Sequence, residues 1–494
     1  MSKHHYIAVD LGAESGRVML GVLDRGELQL EEHHRFPNLP VHLAGHDRWG
    51  ILQLWHEITV GIGKATKAAG GPEHIRGISC DSWGVDYVLV GRGSPMLAPP
   101  CQYRDPRTEP HFERALSEIG RAAIFEQTGI QFMAINTLFQ LMSEPAELLK
   151  AAEKFVPIGD YINWLLAGGE PHAGQPRCEV SLASTTQAFD VSKRDWAHGL
   201  IERAGLPRHV FPDVVDSGTV LGQHDLGGQS AAKVIATCSH DTGCAVAATP
   251  GQPRDDGYWA FLSSGTWSLL GVEIDGPVVD DRCRELNFTN EQGYRGSTRL
   301  LKNISGLYLL QQCRAAWAEA DKAYGYHELA PMADDAPPLV SLIRPECGEF
   351  AKPGRMPEKI ADYCRRTGQP VPETVGAYVR CIYESLALLY RKTVGELTEL
   401  TGKSIKTLNI VGGGTQAMLL NQLAADACGI PAVIGPIEAT AFGNVLIQAA
   451  TLGDITPDDI RPIVRRSTSL ETCEPKNADT MAAAYDRFVA LPTE

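Results

Sequence analysis

The stretch Ile7-Ala-Val-Asp-Leu-Gly-Ala-Glu-Ser-Gly-Arg17, followed by Val18-Met-Leu-Gly-Val22, predicts two strands joined by a turn of small residues. Asp10 lies at the end of the first strand. Backbone N–H groups in such a turn can bind phosphate oxygens, and Ser15 and Arg17 would add a hydroxyl and a positive charge. The stretch indicates an anion-binding hairpin with an acid beside it. A hairpin that merely has favourable turn residues would show the same pattern.

A second stretch in the middle of the chain repeats this pattern. Tyr258-Trp-Ala-Phe-Leu262 predicts a strand, Ser263-Ser-Gly-Thr266 a turn, and Trp267-Ser-Leu-Leu-Gly271 a returning strand. The preceding segment 248–257 is rich in turn-forming residues and predicts a domain boundary. We therefore expect two similar domains, each of which begins with a hairpin. The predicted divisions are an N-terminal domain over 1–250, a C-terminal domain over 257–455 and a tail over 456–494.

The remainder of the second half alternates between helices and strands. Apolar residues at helical spacing predict a helix over 379–400, which Gly402 ends. The pattern then continues with a strand over 407–411, the turn Gly412-Gly-Gly414, a helix over 419–427, a strand over 431–434 and a helix over 439–450. Such alternation is typical of an α/β fold with parallel strands.

Composition narrows the possible partners and the compartment. The chain has 494 residues, with 44% hydrophobic and 21% charged residues, as in globular proteins. Its net charge of −15 argues against nucleic acid or an anionic membrane as the main partner. We expect a cytoplasmic protein, because no signal peptide and no run of about 18 apolar residues occurs. The twelve cysteines form no C-x-x-C motif, and we expect Cys364 and Cys381 to be free thiols rather than a bridge.

Ser239-His-Asp-Thr-Gly243 follows a β-branched run and predicts a carboxylate at the edge of a sheet. We interpret Asp241 as a general base that accepts a hydroxyl proton while that oxygen attacks phosphorus. Asp10 would act on a metal ion, directly or through water. A structural acid that caps a helix beginning at Thr242 is an equally simple interpretation of Asp241.

Sugar recognition is predicted in loops of the first half. In Asp81-Ser-Trp-Gly-Val-Asp86, Trp83 offers an aromatic face, Gly84 permits close approach and the acids could accept from hydroxyls. Gln131-Phe132 with Asn136 forms a similar polar and aromatic group. Taken alone, Trp83 is better interpreted as a core residue than as a sugar contact.

Together these motifs resemble the FGGY family of carbohydrate kinases over nearly the whole chain. The resemblance rests on motifs that occur in the family's order: Val9-Asp-Leu-Gly-Ala13 with Ser15-Gly-Arg17, Trp83-Gly-Val-Asp86, Tyr103-Arg-Asp105, Gly129-Ile-Gln-Phe132, Ser239-His-Asp-Thr242, Leu262-Ser-Ser-Gly-Thr-Trp-Ser268, Leu301-Lys-Asn303 with Gly306-Leu307, Ile410-Val-Gly-Gly-Gly414 and Leu420-Asn-Gln-Leu423. Each motif is weak evidence alone, but nine in the right order are specific.

The resemblance implies an actin-like fold of two similar ribonuclease-H-like α/β domains, with the active site in the cleft between them. It implies ATP and Mg²⁺ as cofactors, and a ketose whose primary hydroxyl Asp241 deprotonates. The implied activity is phosphorylation of the C1 hydroxyl of L-rhamnulose. The implied sugar contacts are Gly84, His240, Asp241 and Thr242. The implied ATP contacts are Ala13, Glu14, Ser15, Gly16, Arg17, Thr266, Asn303, Gln311 and Gly413.

Two other functions remain open at this point. A related kinase acting on fuculose, xylulose or a similar ketose would keep Asp10, Asp241 and Gly413 but change the loops around Trp83 and Gln131. An actin-like or chaperone-like ATP-driven binding protein would share the hairpins but would need neither the sugar loops nor the base. The sequence leaves the oligomeric state open. If the implied fold is right, catalysis requires the two halves to approach each other.

Overall fold

The computed structural model describes residues 3–252 and 254–493. The chain forms two compact units. The first consists of Met1–Thr249, Glu273–Leu300 and Ala439–Ser467, and the second of Pro250–Val272, Leu301–Glu438 and Thr468–Glu494. The chain thus returns to the first unit twice after leaving it. The division into three consecutive domains remains a prediction.

The strands are β1 (His4–Leu11), β2 (Ser15–Asp24), β3 (Glu27–Pro37), β4 (Val41–Leu43), β5 (His46–Arg48), β6 (Ile75–Ser82), β7 (Tyr87–Gly91), β8 (Ala152–Pro157), β9 (Cys178–Glu179), β10 (Phe189–Asp190), β11 (Asp195–Trp196), β12 (Val214–Val215), β13 (Thr219–Gly227), β14 (Ser230–Ala236), β15 (Tyr258–Ser264), β16 (Trp267–Ile274), β17 (Thr289–Gln292), β18 (Thr298–Ser305), β19 (Ile405–Val411), β20 (Ala432–Ile434) and β21 (Glu471–Cys473).

The α-helices are α1 (Ile51–Ala68), α2 (Glu109–Ala115), α3 (Arg121–Thr128), α4 (Thr137–Met142), α5 (Ala146–Ala151), α6 (Ile158–Leu166), α7 (Gly169–His172), α8 (Val180–Ala183), α9 (His198–Arg203), α10 (Asp241–Ala247), α11 (Asp281–Glu285), α12 (Tyr308–Glu319), α13 (Tyr326–Asp335), α14 (Gly348–Ala351), α15 (Met356–Arg366), α16 (Val375–Thr401), α17 (Met418–Cys428), α18 (Ala439–Thr451), α19 (Ile460–Ser467) and α20 (Ala478–Val489).

The first unit is built on a six-stranded sheet with the order β13-β14-β6-β1-β2-β3. β1 and β2 are the predicted antiparallel hairpin, while β6 runs parallel to β1 and β14 runs parallel to β6. The pairing places Asp10 opposite Arg17 on one side and opposite Asp81 on the other. The sheet therefore brings the carboxylates of Asp10 and Asp81 and the cation of Arg17 to the same end of these strands.

Helices cover both faces of this sheet. Ile7 and Val9 of β1 pack in one apolar cluster with residues of α1. Tyr6 and Ala8, which alternate with them, pack in a second cluster with residues of α10, α18 and α19. Because both faces are buried, β1 is an almost continuous apolar run, as expected for a strand with a parallel neighbour.

The second unit repeats the strand arrangement. β15 and β16 form the second predicted hairpin, β19 runs parallel to β15, and β20 runs parallel to β19. The helices predicted for the second half of the sequence are confirmed as α16, α17 and α18, of which α18 belongs to the first unit. Gly402 and Gly429 end α16 and α17 with φ of 66° and 67°, in the left-handed region that favours glycine.

Candidate active site

The turn between β1 and β2 is held by hydrogen bonds to its own backbone and to Asn38. The N–H of Gly12 donates to the carbonyl of Ser15 over 2.9 Å. Asn38 donates from its backbone to the carbonyl of Glu14 and from Nδ2 to the carbonyl of Gly12, both over 2.9 Å. Ala13 and Ser15 are half-buried, and the side chain of Glu14 is exposed. The predicted phosphate turn is therefore an ordered loop.

Gly16 and Arg17 have clear roles inside the protein. A Cβ atom on Gly16 would lie 2.3 Å from the ring of Phe36, so packing alone requires glycine there. Arg17 forms an ion pair with Oδ2 of Asp10. The predicted metal ligand and the predicted phosphate-binding cation thus hold each other in this structure.

Two buried acids, Asp10 and Asp81, and the half-buried Asp241 lie within electrostatic range of one another at this edge of the first sheet. Burial raises the pKa of Asp241, the charge of Asp10 raises it further, and His240 partly lowers it. Burial and the neighbouring charge of Asp10 also raise the pKa of Asp81 well above its ordinary value. Nδ2 of Asn444 in α18 donates to Oδ2 of Asp81 over 2.6 Å. The cluster concentrates negative charge, which a cation or a proton would relieve.

Asp241 is the first residue of α10, five residues beyond the end of β14, so a connecting segment separates it from the strand. Its Oδ1 accepts hydrogen bonds from the backbone N–H and the hydroxyl of Thr242, over 2.5 and 3.1 Å. Nε2 of His240 lies 3.4 Å from the same oxygen. Within the described residues, every hydrogen bond and ion pair of Asp241 uses Oδ1. One oxygen is anchored and the other is available to a ligand.

The segment that carries Asp241 is fixed by buried polar groups. Oε2 of Glu179 accepts from the backbone N–H of Ser239 over 3.0 Å, and the N–H of His240 donates to Oγ of Ser181 over 3.1 Å. The N–H of Ser82, at the end of β6, donates to the carbonyl of Ser239 over 2.8 Å. The segment is thereby tied to both the sheet and α8.

The predicted sugar loop is largely internal. Oδ2 of Asp86 accepts from Nε1 of Trp49 (2.6 Å), Nε1 of Trp83 (3.0 Å) and the N–H of Tyr103 (3.2 Å). Its Oδ1 accepts from Nε2 of Gln140 over 2.9 Å. A carboxylate with four donors has no capacity left for sugar hydroxyls, so the expectation for Asp86 was wrong.

Trp83 lies in the core, whereas the backbone of Gly84 passes close to a neighbouring loop. Trp83 is 6% exposed and belongs to the core cluster, in agreement with the core interpretation. A Cβ atom on Gly84 would lie 3.1 Å from Oγ1 of Thr185, so the backbone here passes close to a neighbouring loop. Gly84 thus has a packing reason to be glycine, and its predicted sugar contact would use the backbone.

In the second unit, two predicted ATP contacts are brought together. Nε2 of Gln311 donates to Oγ1 of Thr266 over 3.1 Å. The N–H of Tyr308 donates to the carbonyl of Thr266 over 3.1 Å. Gly306 lies against the same turn, since its Cβ would be 2.6 Å from the carbonyl carbon of Trp267. Asn303, a further predicted contact, is half-buried on β18.

The glycine run Gly412-Gly-Gly414 follows β19 as predicted. Gly412 has φ of 86° and requires glycine for its conformation. A Cβ atom on Gly414 would lie 1.9 Å from Oγ of Ser264, whereas one on Gly413 would meet no atom within 4 Å. Packing explains Gly414, but no atom of the described residues lies close enough to Gly413 to require glycine there.

Sequence patterns missed Glu179, Glu291, Arg299 and Asn444. Glu291 lies on β17, where all four residues, Thr289-Asn-Glu-Gln292, are polar and buried. A polar tetrapeptide resembles an exposed loop in a sequence. The only available signal was that no glycine, proline or serine interrupts it.

Residues 3–252 and 254–493 meet neither the requirements of a metal-binding cluster nor those of a membrane-spanning helix. No group of three or more His, Cys, Asp or Glu side chains is arranged to hold a metal ion. No helix in this part of the chain is sufficiently long and apolar to cross a bilayer.

The chain is similar to known kinases along nearly its whole length. Its residues 5–247 match the N-terminal domain of the FGGY family of carbohydrate kinases, and residues 260–452 match the C-terminal domain. It is 43% identical to a rhamnulokinase of Bacteroides thetaiotaomicron over 98% of this chain and 99% of the relative. It is 39% identical to a rhamnulokinase of Ligilactobacillus salivarius over 98% of both chains.

The predicted fold is confirmed by a solved structure. A gluconate kinase from Lactobacillus acidophilus superimposes with a TM-score of 0.78 at 15% identity, covering 99% of this chain and 97% of that one. Two α/β units with matching hairpins, and family matches that cover most of the chain, agree with each other. The chain belongs to the FGGY family of carbohydrate kinases, with the actin-like ATPase fold of that family.

Proposed function

We propose that this protein transfers the γ-phosphoryl group of ATP to the C1 hydroxyl of L-rhamnulose, giving L-rhamnulose 1-phosphate and ADP in L-rhamnose degradation. The observation that carries the chemistry is the carboxylate of Asp241, with Oδ1 anchored and Oδ2 available. The choice of sugar is supported by two relatives of at least 39% identity, both called rhamnulokinase, that align over nearly their whole length.

In the proposed reaction, the sugar hydroxyl oxygen attacks the γ-phosphorus while Asp241 accepts its proton. The bond from the γ-phosphorus to the bridging oxygen breaks, and ADP leaves. The raised pKa of Asp241 suits a base, because a more basic carboxylate accepts the proton more readily. Gly84, His240 and Thr242 are the proposed neighbours of the sugar.

The proposed ATP contacts divide between the two hairpins and the glycine run. Backbone groups of 13–17 and the cation of Arg17 would bind phosphate oxygens. Thr266, Asn303, Gln311 and Gly413 are the proposed contacts in the second unit. The exposed carboxylate of Glu14 would have to point away from the phosphates or face a metal ion.

Carboxylates are the ligands that Mg²⁺ prefers, and Asp10 lies near two further carboxylates, Asp81 and Asp241, with Arg17 as its paired cation. A single carboxylate together with water and phosphate oxygens suits the ion, and we propose that Asp10 holds it, directly or through water. Bound there, Mg²⁺ would neutralise charge on the transferred phosphoryl group. Asp10 would then have to release Arg17 in part, which frees that cation for the phosphates.

We also propose a cytoplasmic location, because all twelve cysteines are free thiols. Free thiols in this number are typical of a reducing compartment. Cys364 and Cys381 are among them, as expected from the sequence.

The decisive experiment is a coupled ADP assay with purified protein, ATP and a panel of L-rhamnulose, L-fuculose, D-xylulose and glycerol. We expect the highest kcat/KM with L-rhamnulose, and phosphorus and carbon NMR should locate the phosphate on C1. A higher kcat/KM with another ketose would indicate that this ketose, and not L-rhamnulose, is the substrate. An ATPase rate that no sugar changes would support an ATP-driven binding protein instead.

A further inference from the structure

His240 lies between the proposed base and a buried ion pair. Its Nε2 is 3.4 Å from Oδ1 of Asp241, and its Nδ1 is 3.2 Å from Oε2 of Glu291. Nη2 of Arg299 lies 3.1 Å from the same Glu291 oxygen and 3.3 Å from Nδ1 of His240. The four side chains form a continuous row that ends at the base.

The far end of this row is rigid. Arg299 is fully buried, and its Nε and Nη2 donate to the carbonyl of Gln292 over 3.2 and 3.1 Å. Glu291 is 4% exposed, and its strand is fixed by a bond of 2.8 Å from the N–H of Gln292 to Oγ of Ser184. A charged pair is costly to bury, so its presence here calls for a role beyond packing.

Proton positions follow from these contacts. Arg299 carries only donors, so Nδ1 of His240 accepts in its contact of 3.3 Å with Nη2 of Arg299. A ring that accepts at Nδ1 carries its hydrogen on Nε2, which faces Asp241. A ring protonated at Nδ1 alone would instead direct that hydrogen at the guanidinium and a lone pair at Oδ1 of Asp241, and is disfavoured.

We propose that Glu291 is a positioning residue: its ion pair with Arg299 holds the guanidinium against Nδ1 of His240, and this contact fixes the ring and its Nε2 hydrogen. His240 then holds Oδ1 of Asp241, so that Oδ2 keeps one orientation toward the sugar hydroxyl. This inference rests on the proposed role of Asp241 as the base. Glu291 touches neither substrate in this scheme and acts only through His240.

The test is a double-mutant cycle on steady-state kinetics, with Glu291→Gln, His240→Gln and the double variant. Misplacing a reacting group by about 1 Å can cost roughly 100-fold in rate, so we expect Glu291→Gln to lower kcat by about 10- to 100-fold. KM for ATP should change less than about twofold. In the His240→Gln background, Glu291→Gln should lower kcat by less than about twofold, because the imidazole through which Glu291 acts is no longer present.

Glu273→Gln is the matched control. Glu273 is also a carboxylate of the first unit that pairs with a serine and an arginine, Ser297 and Arg461, but it does not contact His240. We expect its kcat to stay within about twofold of wild type. If Glu291→Gln fails to fold, Glu291→Asp replaces it in the cycle, since it keeps the charge opposite Arg299 while withdrawing from Nδ1.

Two results would overturn the inference. One is a kcat for the Glu291 variant within about twofold of wild type. The other is an equal loss of kcat in both backgrounds, which would mean that Glu291 acts independently of His240. Both results require an active wild-type enzyme, so they are distinct from failure of the proposed function, in which wild type itself phosphorylates no ketose.

Discussion

Gly414 and Ser264 approach so closely that a Cβ atom on the glycine would lie 1.9 Å from the serine Oγ. The adjacent Gly413 has open space at the same point. Two neighbouring glycines therefore have different reasons to be glycine. Packing between β15 and the turn after β19 requires glycine at position 414. Close approach of the proposed nucleotide would require glycine at position 413.

The pair gives a matched test of nucleotide binding. Gly413→Ala should unfold at the same urea concentration as wild type but raise KM for ATP by about tenfold, equivalent to about 1.4 kcal/mol. KM for the sugar should stay unchanged. Gly414→Ala should lose about 1–3 kcal/mol of stability through overpacking. An unchanged KM for ATP in Gly413→Ala would remove Gly413 from the site.

Asp241→Asn tests the base. The carboxamide can keep the hydrogen bond at Oδ1 but cannot accept a proton at the other position. We expect kcat to fall by about 10²–10⁴-fold while ATP affinity, measured by calorimetry, stays near wild type. The circular dichroism spectrum serves as the folding control. A variant that turns over within a few-fold of wild type would exclude Asp241 as the base.

The pH profile tests the environment of the same group. Burial and Asp10 raise the pKa of Asp241 above the ordinary 3.8, and His240 lowers it. The base must be ionised, so kcat/KM for the sugar should decline as pH falls through this raised pKa. His240→Gln removes the lowering contribution and should move the decline to higher pH. A shift to lower pH would contradict the described electrostatics.

Asp86 is predicted to act in folding rather than in sugar binding. Asp86→Ala leaves the indole N–H groups of Trp49 and Trp83 buried without their acceptor. We expect a loss of about 3 kcal/mol or more in urea unfolding. Asp281→Ala, at a carboxylate that is 83% exposed, is the control and should change stability by less than about 0.5 kcal/mol. Equal stabilities would show that the tryptophans find other partners.

Local periodicity was enough to predict the hairpins and the helices of the second half. Both hairpins, α16 with Gly402, and α17 with Gly429 follow from spacing and caps within about 25 residues. The sequence pattern also singled out Asp10 and Asp241 as candidates, because acids after apolar runs are conspicuous. It placed Asp241 on a strand end, however, whereas the residue begins α10.

Contacts between distant parts of the chain were beyond such patterns. Asn444 donates to Asp81 across 363 positions, and Glu291 reaches His240 from a strand that has no apolar signature. For Asp86, the donors lie on three separate segments, so its role could not be inferred from its neighbours. Burial of a polar group becomes interpretable only once its partners are known.

The return of residues 439–467 to the first unit has a consequence for biosynthesis. All six strands of the first sheet precede residue 250, but the helices α18 and α19, which cover Tyr6, Ala8 and Met19 on one face, are synthesised only after residue 438. Until then α10 alone of the helices on this face is present, and the nascent chain carries an incompletely covered apolar sheet face. We therefore expect synthesis of this protein to depend on chaperones that bind nascent chains, and a product that terminates at residue 250 to aggregate.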